Sequence, residues 1–170
     1  MNLSALNQMD ADRFVDVLGG IFEHSPWVAQ IAYAGRPFAT LEALHQAMLD
    51  AVERAHPDRQ LALIRAHPEL AGREASAGDL TADSSGEQGR LGFTALTPAE
   101  LAGVADINRR YREKFGFPCI VALNRHARRE TVIAEMEQRI EHNADTERKI
   151  AFEQIAHITR GRLERLIGHA

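Results

Sequence analysis

Thr97-Pro98-Ala99-Glu100, continued by Leu101, Val104, Asn108, Tyr111 and Phe115 and closed by Gly116-Phe117-Pro118, is the stretch that decides the fold class. A threonine followed by proline, with glutamate three residues on, is a capping box with proline at the first helical position. The residues after it recur at steps of three and four, the spacing of one helix face. Gly116 and Pro118 then end the pattern as a C-cap glycine and a following proline do. A long amphipathic helix with both ends written into the sequence points to a helical protein.

The same punctuation repeats on either side. Upstream, Ser4 and Asp10 are candidate N-caps of short helices, and the second carries Phe14, Val15, Val17 and Leu18 before Gly19-Gly20. Ser25-Pro26-Trp27 reads as a further helix start with Ser25 at the N-cap. Gly35-Arg36-Pro37 reads as a turn. Thr40 caps a helix with Leu41, Leu44, Met48 and Ala51 on one face, and Pro57-Asp58 opens another that carries Leu61 and Ile64 as far as His67-Pro68. Residues 70–85 are crowded with Gly, Ser and Asp and read as a loop, after which Asp83 or Ser84 caps a short helix holding Glu87 and Gln88. Downstream, Pro118-Cys119-Ile120-Val121-Ala122-Leu123 is an apolar run without helical punctuation, expected to be extended or irregular and buried. Two helices follow, near 127–142 and 146–167, the last with Phe152, Ile155, Thr159, Arg162 and Leu166 on one stripe. The expectation is an all-α single domain over residues 1–170, with roughly eight helices and one irregular buried segment near 117–123.

Bulk properties narrow the function classes. At 170 residues the chain suits one domain, and aromatics at only 6% favour helices over sheets. A net charge of −4 gives no basic excess, so nucleic acid is not expected as a partner. Cys119 is the only cysteine, which rules out an intrachain disulfide or a Cys-rich zinc cluster. No basic segment followed by an apolar run marks the N-terminus, no apolar stretch is long enough for a membrane span, and Gly168-His169-Ala170 is not a peroxisomal tripeptide. A cytoplasmic protein with no membrane partner is the expectation.

The chemistry-bearing residues gather in two places. His67 stands before Pro68, which pushes it out of helical geometry, and Ser84-Ser85-Gly86-Glu87-Gln88 follows at the end of the polar stretch. An imidazole, a carboxylate, a hydroxyl and an amide in one neighbourhood suit acid–base work. Each residue alone also has a plain structural role: a helix-end histidine bonding carbonyls, a solvated glutamate, a serine cap. Arg162 on a helical stripe reads either as an anion clamp or as a snorkelling side chain. His45, His56 and His67 recur every eleven residues, which does not match zinc-ligand spacing, so no metal is expected. Asn124-Arg125-His126-Ala127-Arg128-Arg129 reads as a solvated turn, and Cys119, with no activating base nearby, as packing. From these residues alone, an acid–base enzyme and a non-catalytic helical interaction module both remain open.

Five segments in series carry a resemblance. Glu23-His24-Ser25-Pro26-Trp27-Val28-Ala29, Ala66-His67-Pro68-Glu69-Leu70-Ala71-Gly72, Ser84-Ser85-Gly86-Glu87-Gln88, Asn108-Arg109-Arg110-Tyr111 and Lys114-Phe115-Gly116-Phe117-Pro118 together resemble the OHCU decarboxylases. These enzymes act on 2-oxo-4-hydroxy-4-carboxy-5-ureidoimidazoline (OHCU) in urate degradation. The resemblance implies an all-helical homodimer and a cofactor-free decarboxylation to (S)-allantoin and CO₂. It implies His67 as the proton donor and Glu87 as the second catalytic group. It implies Pro68, Ser84, Ser85, Gly86 and Gln88 as substrate-binding residues. Cys119, Ile120, Val121, Ala122 and Leu123 correspond to a segment that reaches the substrate through its backbone, and Arg162 to a pocket-facing arginine of the last helix, with Arg160 as its neighbour. Many relatives carry an aromatic residue where this chain has Cys119. A related ureide hydrolysed rather than decarboxylated is the alternative activity.

Overall fold

A chain whose helix starts and stops are this densely marked forms helices wherever an apolar stripe can be buried, and the computed structural model, which describes residues 1–168, contains ten α-helices and no strand among them. His169 and Ala170 of the C-terminal tripeptide lie outside the described residues. None of the described helices is long and apolar enough to cross a membrane. The helices fall into two compact units.

The first unit comprises Met1–Ala66 and the chain from Thr159 onward. It holds α1 (Leu3–Asn7), α2 (Ala11–Leu18), α3 (Trp27–Ala32), α4 (Leu41–Glu53), α5 (Pro57–Arg65) and the last part of α10 (Ala144–Ile167). Asp10 and Thr40 cap α2 and α4 through their side chains, as expected. Two expected caps are corrected. Asn2, not Ser4, caps α1, its side chain accepting the Ala5 N–H at 2.9 Å. Ser25 does not cap α3, because its hydroxyl turns back to donate to the Glu23 carbonyl at 3.0 Å. The turn at Gly35-Arg36-Pro37 contains a cis Arg36–Pro37 bond. It is tied down by Arg36, which donates to the carbonyls of Asn7 (3.1 Å) and Met9 (2.6 Å) and stacks over Tyr33. Leu6, Phe14, Leu18, Phe22, Leu44, Met48, Ile64 and Leu163 are fully buried in this unit.

The second unit is His67–Ile158. It holds α6 (Arg73–Ala77), α7 (Ala82–Arg90), α8 (Pro98–Phe115), α9 (Arg129–Ile140) and the first part of α10. The capping box at Thr97 forms in full, and Gly116 takes the left-handed conformation that ends α8 at φ +77°. Residues 70–85 are not the loop expected. They contain α6, and α7 begins at Ala82 with Thr81 as its cap, so Ser84 lies inside the helix rather than at its start. Local composition reads as loop there; the bonds from Gln88 to the Glu69 carbonyl and Ala71 N–H override it. The irregular segment appears where predicted. Phe117 and Cys119–Leu123 are all buried, and only Leu123–Arg125 tightens into a 3₁₀ turn.

Candidate active site

The helical period sorts the residues of α7. Ser84, Glu87 and Gln88 are spaced i, i+3, i+4 and share a face: Ser84 and Gln88 are buried and Glu87 is half-buried. Ser85 and Gly86 lie on the exposed face, and a Cβ at Gly86 would meet no atom within 4 Å.

That inner face is locked onto the loop that begins at His67. Gln88 Oε1 accepts the Ala71 N–H at 2.9 Å, and Gln88 Nε2 donates to the Glu69 carbonyl at 3.4 Å. From α8, Asn108 Nδ2 donates to the Leu70 carbonyl at 2.9 Å. Arg112, one turn on, pairs with the Glu69 carboxylate. The loop therefore has its peptide groups at 69, 70 and 71 each held by a side chain from a helix. The grip sustains a costly backbone: Ala71 sits at φ +47°, a conformation that L-residues avoid. Gly72 is required beside it, because a Cβ there would come within 2.7 Å of Glu69 Cβ. His67, at the head of this loop, is buried, with 6% of its surface exposed. Asn108 Oδ1 is buried with no hydrogen-bond partner among the described residues, an acceptor that a ligand or water donor would satisfy.

The 119–123 segment is held from three helices. Arg90, at the end of α7, donates to the carbonyls of Leu123 and His126. Arg139 of α9 donates from Nη1 to the Ile120 carbonyl at 2.6 Å. Gln154 of α10 accepts the Ala122 N–H at 2.8 Å. The Ala122 amide is thus spent on the protein, which narrows the expectation that the whole run offers its amides to a ligand. The Cys119 thiol is pushed up to about 12 by burial, so it is an uncharged packing group as expected.

Arg162 belongs to the first unit. It is 2% exposed and donates from Nη1 to Glu23 Oε2 at 2.8 Å; Glu23 is equally buried. Its charge is matched by a carboxylate, so it is neither a snorkelling side chain nor a bare cation. Arg160 is half-exposed and pairs with Glu42 and Glu164. Of the other histidines in the eleven-residue series, His45 bonds Thr159 Oγ1 at 2.9 Å and His56 caps α5. Arg125 and Arg128 of the basic run are exposed, as a solvated turn requires, whereas His126 is half-buried between Thr131 and Glu135 and Arg129 pairs with Glu100.

Sequence reasoning did not single out Arg90, Arg139, Glu147 or Gln154. Each acts on a backbone group or a partner far along the chain, and no local spacing announces that. Glu23 lay within a quoted motif without a role.

A sequence model described as OHCU decarboxylase matches residues 7–164. The chain is 37% identical to the 2-oxo-4-hydroxy-4-carboxy-5-ureidoimidazoline decarboxylase of Haloferax volcanii over 96% of its own length and 94% of the relative's. It is 38% identical to the protein of the same name from Halalkalicoccus jeotgali, over 98% and 92%. Among solved structures it is similar to (S)-allantoin synthase, with TM-score 0.78 and 30% identity over 98% of this chain, which spans 54% of that one. With a family match across both units and near full-length likeness to two of its members, this chain belongs to the OHCU decarboxylase family.

Proposed function

We propose that this chain decarboxylates OHCU to (S)-allantoin and CO₂ without a cofactor, as a carbon–carbon lyase of urate degradation, with His67 as proton donor and Glu87 as its partner. The observation that carries the reading is the Gln88 lock: a buried side chain adjacent to Glu87 bonds the loop headed by His67. The two segments that the family resemblance marks as catalytic are therefore neighbours in one unit.

Breaking the bond between the ring carbon and the carboxylate releases CO₂ and leaves an electron pair on the ring. The substrate's own unsaturated ring takes up that pair, so the protein has three tasks. It must hold the reactive conformer, stabilise the charge as it spreads, and deliver a proton to one face. Ser84 and the polar face of α7 hold the ureido and ring heteroatoms, and Pro68 packs against the ring. The backbone of 119–123, apart from the Ala122 amide that Gln154 holds, supplies donors, while Ser85 and Gly86 lie on the exposed face of α7 and enter the reading through the resemblance alone. A buried histidine whose unperturbed pKa lies near neutrality is suited to the proton delivery. The family resemblance alone supports a substrate role for Arg162, which within its own unit is paired with Glu23. The two units work as one functional domain, since the family match runs through both, and a cytoplasmic homodimer belongs to the same reading.

The test supplies freshly generated OHCU and follows CO₂ release and the optical activity of the allantoin formed. Wild-type protein yields optically active product. His67→Asn keeps its helical circular dichroism and loses about 10²–10⁴-fold in turnover. Racemic allantoin at the uncatalysed rate with wild type would end the proposal, and unimpaired turnover by His67→Asn would remove that residue from it.

A further inference from the structure

The irregular run before Leu123 has no helix or sheet to orient its peptides, and side chains orient them instead. The decisive one is between Ile120 and Val121. Its carbonyl is drawn toward Arg139 Nη1 at 2.6 Å. In a trans peptide the C=O and the next N–H lie in one plane and point in opposite directions, and the one cis bond among the described residues is elsewhere, at Arg36–Pro37. The Val121 N–H therefore points away from Arg139. Val121 is buried, and no acceptor for its N–H is found among the described residues. Buried backbone donors are nearly always paired, so this one is kept for something that arrives.

Arg139 is itself fixed by a buried anchor. Its Nε and Nη2 donate to Glu147 Oε2 at 3.0 and 2.9 Å, and Glu147 is fully buried. Glu147 also accepts from the Tyr111 hydroxyl, while His142 Nδ1 lies 2.7 Å from its other oxygen. Two prongs of the guanidinium fork are spent on one carboxylate, and the third, Nη1, makes its short bond to the Ile120 carbonyl and a longer one of 3.4 Å to Glu135 Oε1. The shorter bond sets the Ile120 carbonyl, and the carbonyl sets the Val121 N–H.

We propose that Arg139, anchored by Glu147, is a positioning residue of the decarboxylase reaction that aims the Val121 N–H at the substrate. The inference rests on the activity proposed above and adds what orients one of its donors. A donor so aimed stabilises charge developing on the substrate, so its loss falls on kcat more than on KM.

Arg139→Met alone strands Glu147 and endangers the fold. The test variant is therefore Arg139→Met with Glu147→Leu, which removes both charges together. It is expected to unfold at a denaturant concentration close to wild type, to lose about 10- to 100-fold in kcat, and to change KM by less than about threefold. If that pair of substitutions does not fold, Arg139→Lys takes its place under the same kinetic criterion. Lysine keeps a charge opposite Glu147 but not the forked reach. In wild-type protein, the Val121 amide resonance is expected to shift and its hydrogen exchange to slow on saturation with (S)-allantoin. Wild-type kcat in a folded variant, or a Val121 amide indifferent to saturating (S)-allantoin in an active enzyme, overturns the proposal. A wild-type protein that neither decarboxylates OHCU nor binds (S)-allantoin overturns the activity, and the positioning role with it.

Discussion

A guanidinium whose charge is already met behaves differently from one that waits for a ligand. Arg162 and Glu23 are each about 2% exposed and sit 2.8 Å apart. Desolvating two charges costs several kcal/mol per ion, repaid here by their mutual attraction. Removing one partner leaves the other buried and uncompensated. Arg162→Met is therefore expected to lower unfolding free energy by about 3–5 kcal/mol, and Glu23→Leu introduced beside it is expected to restore most of that loss. Urea unfolding of the two proteins checks this; a double variant no more stable than the single one would show that the carboxylate is not the source of the cost.

At the scale of elements, α7 is where local and tertiary forces disagree. Gly86 and Gly89 both lie inside a nine-residue helix, and both are exposed. Glycine in a helix interior costs roughly 0.5–1 kcal/mol against alanine, and a Cβ at Gly86 would enter open space. Gly86→Ala is expected to raise stability by about that amount, measurable as a higher urea midpoint at unchanged slope. An unchanged or lowered midpoint would mean that the helix is strained in a way the spacing of its contacts does not reveal. The same disagreement explains what the sequence could and could not disclose. The ends of α8 were legible because Thr97, Glu100 and Gly116 act within one turn of themselves. The buried 118–123 run was legible because six consecutive residues lack polar punctuation. The start of α7 was not, because its hold comes from Gln88 bonding residues 17 and 19 positions away. In the candidate site, His67, Glu87 and Gln88 stood out by residue type and motif. The side chains that orient the backbone around them (Asn108, Arg90, Arg139, Gln154) are defined by partners that no local pattern names.

Across the whole molecule, the buried polar groups of the second unit give stability a pH dependence with a definite sign. Burial, first, and then the neighbouring Cys119 and Glu147 raise the Tyr111 hydroxyl well above the usual phenol range, against the opposing charge of Arg139. Burial likewise raises the Cys119 thiol from 9.0 to about 12. Both groups are neutral when protonated and hold their protons more tightly folded than unfolded. Their contribution is fully present below the unfolded pKa values, and it is lost as pH rises toward the folded ones. Unfolding free energy should therefore be level from neutral pH to about 8.5, then fall through the window from 9.0 to about 12 set by Cys119. At 1.36 kcal/mol per unit of pH, Cys119 alone removes about 3 kcal/mol by pH 11. Cys119→Ala is expected to lower stability at pH 7 through lost packing, and to flatten the alkaline limb by about this amount. Denaturant titrations at a series of pH values between 7 and 11 read both effects on the same samples. An alkaline limb equally steep with and without the thiol would assign the slope to Tyr111 instead.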